Sequence, residues 1–184
     1  MSKGEIEVPI KEPIRSKDLD PNFKYEIADT PLGKNLNACF KCGACSGGCP
    51  VGIVTEVYKP REVIGKTILG MREEVLAGDQ IWLCATCFTC EDRCPQKVNI
   101  TDVIITLRNI AFREGHAPKA LIEQAKSMIE TGWVQHPTAS MDKRREELGL
   151  KRLPKNALED LQTIVKATGF YDLIYGKEEK EEKT

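Results

Sequence analysis

Apolar residues recur at helical spacing along most of the chain. Pro60 suits a first helical position, Val63, Ile64, Thr67 and Ile68 form an i, i+4 stripe behind it, and Gly70 can close the helix. A shorter helix is expected near Met71–Ala77, stopping at Gly78, and Asp79 can cap a further turn carrying Ile81, Trp82 and Leu83. No period-2 alternation bounded by turns interrupts this stretch. Thr101 and Asp102 then open a helix through Val103, Ile104, Leu107, Ile110 and Ala111 to about Glu114, with Gly115 as its stop. Pro118 to about Thr131 repeats the pattern with Leu121, Ile122, Ala125 and Ile129, and Gly132 follows. A mostly polar candidate covers Ser140–Leu148. The last begins at Asn156 and places Leu158, Leu161, Ile164, Val165 and Thr168 at helical spacing before Gly169. The expected fold class is all-α.

The ends carry less pattern. Residues 1–36 contain four prolines and little periodicity, which predicts an extended N-terminal arm. Residues 177–184 alternate acid and base without apolar positions and read as a charged, solvated tail. Between them, residues 37–116 and a helical extension over 117–176 complete the expected organisation, one domain with at most a modest second lobe for 184 residues.

The chemistry lies in the cysteines. All eight fall into two runs of identical spacing, Cys39, Cys42, Cys45, Cys49 before Pro50, and Cys84, Cys87, Cys90, Cys94 before Pro95. This C-x2-C-x2-C-x3-C-P run is that of bacterial-type iron–sulfur ligation, in which three close thiolates hold one cubane and the fourth reaches to the other. The reading is therefore two [4Fe–4S] clusters with crossed ligands. Cys39, Cys42, Cys45 and Cys94 hold the first; Cys84, Cys87, Cys90 and Cys49 hold the second. Each proline biases the cysteine before it toward an extended backbone and should lead the chain away from the cluster. Gly43, Gly47 and Gly48 suit close approach or positive φ around an inorganic core.

Other chemistries fit less well. Zinc sites pair two short knuckles rather than placing four thiolates within eleven residues. A Rieske centre needs two histidines in place of two cysteines, and His116 and His136, the only two, sit at expected helix boundaries. No apolar stretch follows Met1–Glu5, so neither a signal peptide nor an oxidising compartment that would favour disulfides is expected. A balance of 27 basic and 28 acidic residues, net −1, gives no nucleic-acid footprint. No apolar run reaches the roughly 20 residues of a membrane span, and a cytoplasmic location is expected. Trp82, Phe40 and Phe88 lie beside the ligands and can shield them from water while packing in the core. Lys143, Arg144 and Arg145, with Lys151 and Arg152 nearby, form the densest basic patch, read as a solvated helix face.

The paired cysteine runs resemble those of the C subunit of heterodisulfide reductase, a small α-helical dicluster ferredoxin found in methanogenic archaea. So do the Pro60-Arg61-Glu62 helix start, Ile81–Cys87, and Gln96–Asp102 leading into Leu107-Arg108. The resemblance covers about residues 35–116. It implies an α-helical ferredoxin domain that relays electrons and has no catalytic residues of its own. The implied partners are the A subunit of heterodisulfide reductase, which bears flavin and iron–sulfur clusters, and its catalytic B subunit, which reduces the coenzyme M–coenzyme B heterodisulfide. A hydrogenase or formate dehydrogenase is a candidate further partner. Only the eight cysteines transfer as functional residues. A dicluster subunit of another oxidoreductase complex, of sulfur-metabolism or glycolate type, is the alternative. The iron–sulfur subunit of a succinate or fumarate reductase would need a further C-x4-C-x2-C site, and no cysteine precedes Cys39. A free ferredoxin would not need about 90 residues after the second run, and a structural, nucleic-acid-bound cluster protein would need a basic face.

Overall fold

The computed structural model describes residues 14–135, 138–151 and 158–176; the charged tail, His136, Arg152 and the start of the helix expected from Asn156 lie outside them. Among the described residues the chain is helical throughout and divides into two units, 1–116 and 117–184.

The first unit is built on four helices, α1 (Phe23–Ala28), α4 (Pro60–Leu69), α5 (Arg72–Leu76) and α7 (Ile100–Glu114). Three short ones lie near the cysteines, α2 (Ala44–Gly47), α3 (Pro50–Val54) and α6 (Thr89–Asp92). The stripe expected on α4 is its buried face, with Pro60 at the first position and Gly70 stopping it at φ +80°. On α7, Val103, Ile104, Leu107 and Ala111 are buried, and these two faces with Val75 and Leu76 of α5 form the core. Three-residue and five-residue 3-10 turns, Leu36–Ala38 and Asp79–Leu83, lead into the two cysteine runs.

The described part of the expected arm is not extended. Phe23 and Ile27, one helical turn apart, are fully buried on α1, as is Leu36 beyond it. Burying such side chains contributes about 1.5–3 kcal/mol each, enough to fold a segment whose prolines, Pro21 and Pro31, merely bracket a helix too short to show periodicity. Arg72 of α5 fastens it, pairing with Glu26 of α1, Asp20 and Glu114 of α7 and stacking 5.1 Å over the Phe23 ring.

The second unit contains α8 (Lys119–Thr131), α9 (Ala139–Glu147), α10 (Leu158–Ala167) and α11 (Phe170–Tyr175). Helices α8, α10 and α11 pack together through Ile129, Val165 and Ile174. Helix α9 buries nothing; Thr138 caps it, Arg144 pairs with Glu147, and Arg145 turns back to the Lys151 carbonyl at 2.7 Å, so the described part of the basic patch is a solvated face. Among the described residues no helix is long and apolar enough to cross a membrane.

Candidate metal centre

The cysteine runs repeat in conformation as well as in spacing. Lys41 and Gly43 adopt positive φ, 59° and 90°, and 45 residues on Thr86 and Phe88 do the same at 50° and 62°. Helices α2 and α6 occupy matching places after them and pack against each other. Left-handed residues alternating with right-handed or turn conformations aim successive N–H groups into a concavity, a device common at iron–sulfur sites. That three of these four positions are not glycine is notable, since positive φ costs most residues about 1–2 kcal/mol. Gly43 needs its freedom; a Cβ at Gly48 would meet only the far end of the exposed Arg93 side chain, which can move aside, and Gly47 is open on all sides, so neither is held to glycine by space or by φ.

All eight cysteines are unpaired thiols: Cys45, Cys49 and Cys90 are buried, Cys39, Cys84 and Cys94 half-buried, and Cys42 and Cys87 exposed. Cys49 is extended, at φ −78° and ψ 118°, as expected of a residue before proline, but the chain turns straight into α3 with Pro50 at its first position. Backbone N–H groups approach three sulfurs, from Gly52 to Cys49 at 3.4 Å, Thr86 to Cys84 at 3.4 Å and Val98 to Cys94 at 3.3 Å. Burial pushes the Cys45 and Cys90 thiols up, whereas the Thr89 hydroxyl holds Cys87 below the ordinary thiol range.

Several residues that spacing did not single out build the site. Tyr58, only 1% exposed, is raised well above the ordinary phenol range by burial first and then by the neighbouring Cys84, with Cys49 and Cys90 adding to it. One side chain therefore has around it two sulfurs of the second run and the last of the first. Thr101, also 1% exposed, places its hydroxyl 3.4 Å from Cys90 Sγ. Glu91, inside the second run, accepts from the N–H groups of Thr101 and Asp102 at 2.8 and 3.2 Å, so α7 is capped by the cysteine loop itself. Arg108 donates back from α7 to the carbonyls of Ile81, Trp82 and Cys84 at 2.8, 3.2 and 2.6 Å. The only sequence hint was that these polar residues stand at buried turns of an otherwise apolar pattern.

Trp82 packs against the core, while Phe40 and Phe88 are 60% and 46% exposed and are not core residues. His116 follows the end of α7 and donates its N–H to the Ala111 carbonyl at 2.8 Å.

The donor set fits iron–sulfur clusters. Among the described residues no three of His, Cys, Asp or Glu converge as a single ion would require, since Zn–S bonds of about 2.3 Å draw sulfurs close together. The thiols instead stand on two separate loops of matching spacing, the arrangement that cubane ligation uses. Trp82 Nε1, two residues before Cys84, is a buried donor with no acceptor among the described residues, a group that a cluster sulfur could satisfy.

Comparison with known proteins accords with this geometry. A 4Fe–4S dicluster domain model matches residues 35–98. The iron–sulfur C subunit of the Methanopyrus kandleri CoB–CoM heterodisulfide reductase is 36% identical over 174 residues, covering 88% of this chain and 90% of that protein. The C subunit of the H2:CoB–CoM heterodisulfide, ferredoxin reductase of Methanothermobacter thermautotrophicus is 38% identical over 168 residues, covering 88% of this chain and 89% of its own. The C 2 iron–sulfur subunit of the Methanocaldococcus jannaschii CoB–CoM heterodisulfide reductase is 34% identical over 174 residues, covering 88% and 92%.

Proposed function

The chain belongs to the family of heterodisulfide reductase iron–sulfur C subunits, electron-transfer components of an oxidoreductase complex, and from that premise we propose that it is a two-cluster relay with no catalytic residue of its own. It takes electrons from the flavin- and iron–sulfur-bearing A subunit and passes them to the catalytic B subunit that reduces the coenzyme M–coenzyme B heterodisulfide, in the cytoplasm. The observation that carries the reading is the pair of conformationally matched loops that present all eight thiols of the chain.

Cys39, Cys42, Cys45 and Cys94 would hold one [4Fe–4S] cluster, and Cys84, Cys87, Cys90 and Cys49 the other. When bound, such clusters accept and release single electrons at potentials set by ligation, hydrogen bonds to sulfur and exposure. The chain contributes what surrounds them. Glu91 and Arg108 hold the second loop against α7, Gly52, Thr86 and Val98 turn amides toward the sulfurs, and burial of Cys45, Cys49 and Cys90 excludes water.

Disulfide cleavage by thiol exchange requires a free thiolate, and this assignment leaves none. The test is heterodisulfide reduction driven by a low-potential dye, with the chain alone and then with its co-purifying subunits. No turnover is expected until the catalytic subunit is present, and turnover should vanish when Cys45 or Cys90 is replaced. Turnover by the chain alone would reject the relay; co-purification with the subunits of a different oxidoreductase would move it to another complex.

A further inference from the structure

The two cysteine loops repeat in backbone but not in the hydroxyl groups around their sulfurs. Thr101 Oγ1 lies 3.4 Å from Cys90 Sγ and Thr89 Oγ1 lies 3.5 Å from Cys87 Sγ, and the buried Tyr58 is held above the ordinary phenol range first by burial and then by its neighbour Cys84. All three cysteines belong to the second run, so the grouping holds whether or not the fourth ligands cross. In the first run the place of Thr89 is taken by Ala44, and beyond the last cysteines the two segments diverge, α3 starting at Pro50 directly after Cys49 whereas α7 starts at Ile100, six residues after Cys94. Around the first run, among the described residues, Ser46, adjacent to Cys45, is the one hydroxyl near a ligand, and its oxygen also accepts from Arg61 N at 3.0 Å.

The Thr101 hydroxyl is placed rather than incidental. Thr67 and Thr106, also buried, satisfy their hydroxyls on their own helix, with the carbonyls of Val63 at 2.9 Å and Asp102 at 3.0 Å. Thr101 sits in the first turn of α7, where no helical carbonyl lies four residues back, and its backbone is fixed by Glu91. Once a cysteine binds iron as thiolate it can only accept, so each of these hydroxyls becomes a donor to sulfur. Donors to sulfur favour the extra negative charge of the reduced state.

Resting on the reading of the chain as a two-cluster relay, we propose that Tyr58, Thr89 and Thr101 are positioning residues that make the cluster of Cys84, Cys87 and Cys90 the more readily reduced of the two. One electron leaves the first-run cluster as one arrives at the second; no bond or proton is exchanged. Opposing charges are weaker. Lys41, Arg61 and Arg93 flank the first run but are exposed, so solvent and salt screen them, whereas Thr101 touches Cys90 Sγ and, like Tyr58, lies in a dry interior where hydrogen bonds are electrostatically stronger. Glu91, which faces Cys90, spends its carboxylate on the α7 N-terminus, and Arg108 adds a cation at the Cys84 carbonyl.

The experiment is a potentiometric titration of the full-length reconstituted chain followed by electron paramagnetic resonance, with signals assigned through Cys42→Ser and Cys87→Ser. The second-run centre should reduce first. Tyr58→Phe, Thr101→Val and Thr89→Ala, which restores the alanine of the first run, should each lower its reduction equilibrium by up to about tenfold, about 59 mV for one electron. Thr101→Ser should keep most of the effect, and the first-run centre should not move. A second-run centre that reduces last, or that stays in place in all three variants, overturns the proposal while leaving the relay intact. Absence of iron and sulfide before titration would overturn both.

Discussion

Cys49 is a helix cap as well as a thiol. Its Sγ accepts from Gly52 N at 3.4 Å, Pro50 supplies the first position of α3, and Tyr58 lies within electrostatic reach of Cys49, Cys84 and Cys90 together. If that neighbourhood reflects ligation, Cys49→Ala should damage the cluster of Cys84, Cys87 and Cys90 and spare the one built on Cys39, Cys42 and Cys45. The check is iron and sulfide content with the resonance spectrum of the reduced protein; selective loss of the first-run centre would reverse the ligand assignment. The thiols themselves were legible because cysteine spacing is set by the reach of a short loop around a cluster, a purely local constraint. Tyr58, Thr101, Glu91 and Arg108 were not, since each meets its sulfur or carbonyl through packing between elements. Of the three aromatics expected to pack in the core, Trp82 is partly buried against it while Phe40 and Phe88 are exposed, so adjacency to a ligand does not decide burial.

Long elements with their own apolar stripe and a glycine stop, α4, α7 and α8, could be read from the chain to within a residue or two. Of the helices of four to six residues only α5 could be read, from Gly78 just beyond it; α1, α2, α3, α6 and α11 could not, because one turn holds too few positions to reveal a period. The stops are unequal in what they bear. Gly70 closes α4 at φ +80°, its carbonyl accepts from Asp20 N at 2.7 Å, and a Cβ there would strike the Asp20 backbone. Gly132 closes α8 at φ +78° with nothing within 4 Å. Both should lose the roughly 1–3 kcal/mol of a left-handed non-glycine residue on substitution by alanine. Gly70→Ala should lose more, because it also pushes away the segment that seats Phe23 and Ile27 on the core. Thermal unfolding of the two variants side by side measures this; equal losses would show that the Asp20 contact carries no weight.

At the scale of the whole molecule, the first unit closes around long-range partners rather than around either cysteine run alone. The α4 stripe, Val63 and Ile64, is covered from α7, and α2 is packed against α6, so the first run leans on residues beyond 88. The last cysteine of each run adds to this if ligands cross, because each cluster then staples both loops and its binding free energy becomes folding free energy of the entire unit. A chain ending at Val75 retains Cys39, Cys42, Cys45 and Cys49 but loses α6, α7 and the turn carrying Ile81. Its remaining apolar faces would be open to water, and Cys45, buried in the whole chain, would be exposed to solvent and oxidant. Reconstitution of that fragment should therefore fail to give a lasting four-iron site, whereas the full chain should take up about eight iron and eight sulfide, as two cubanes require. Iron and sulfide analysis with the visible absorbance of both proteins after gel filtration decides the matter. A stable [4Fe–4S] centre in the fragment would show that four thiols of one run suffice, and that the two loops are joined by packing alone.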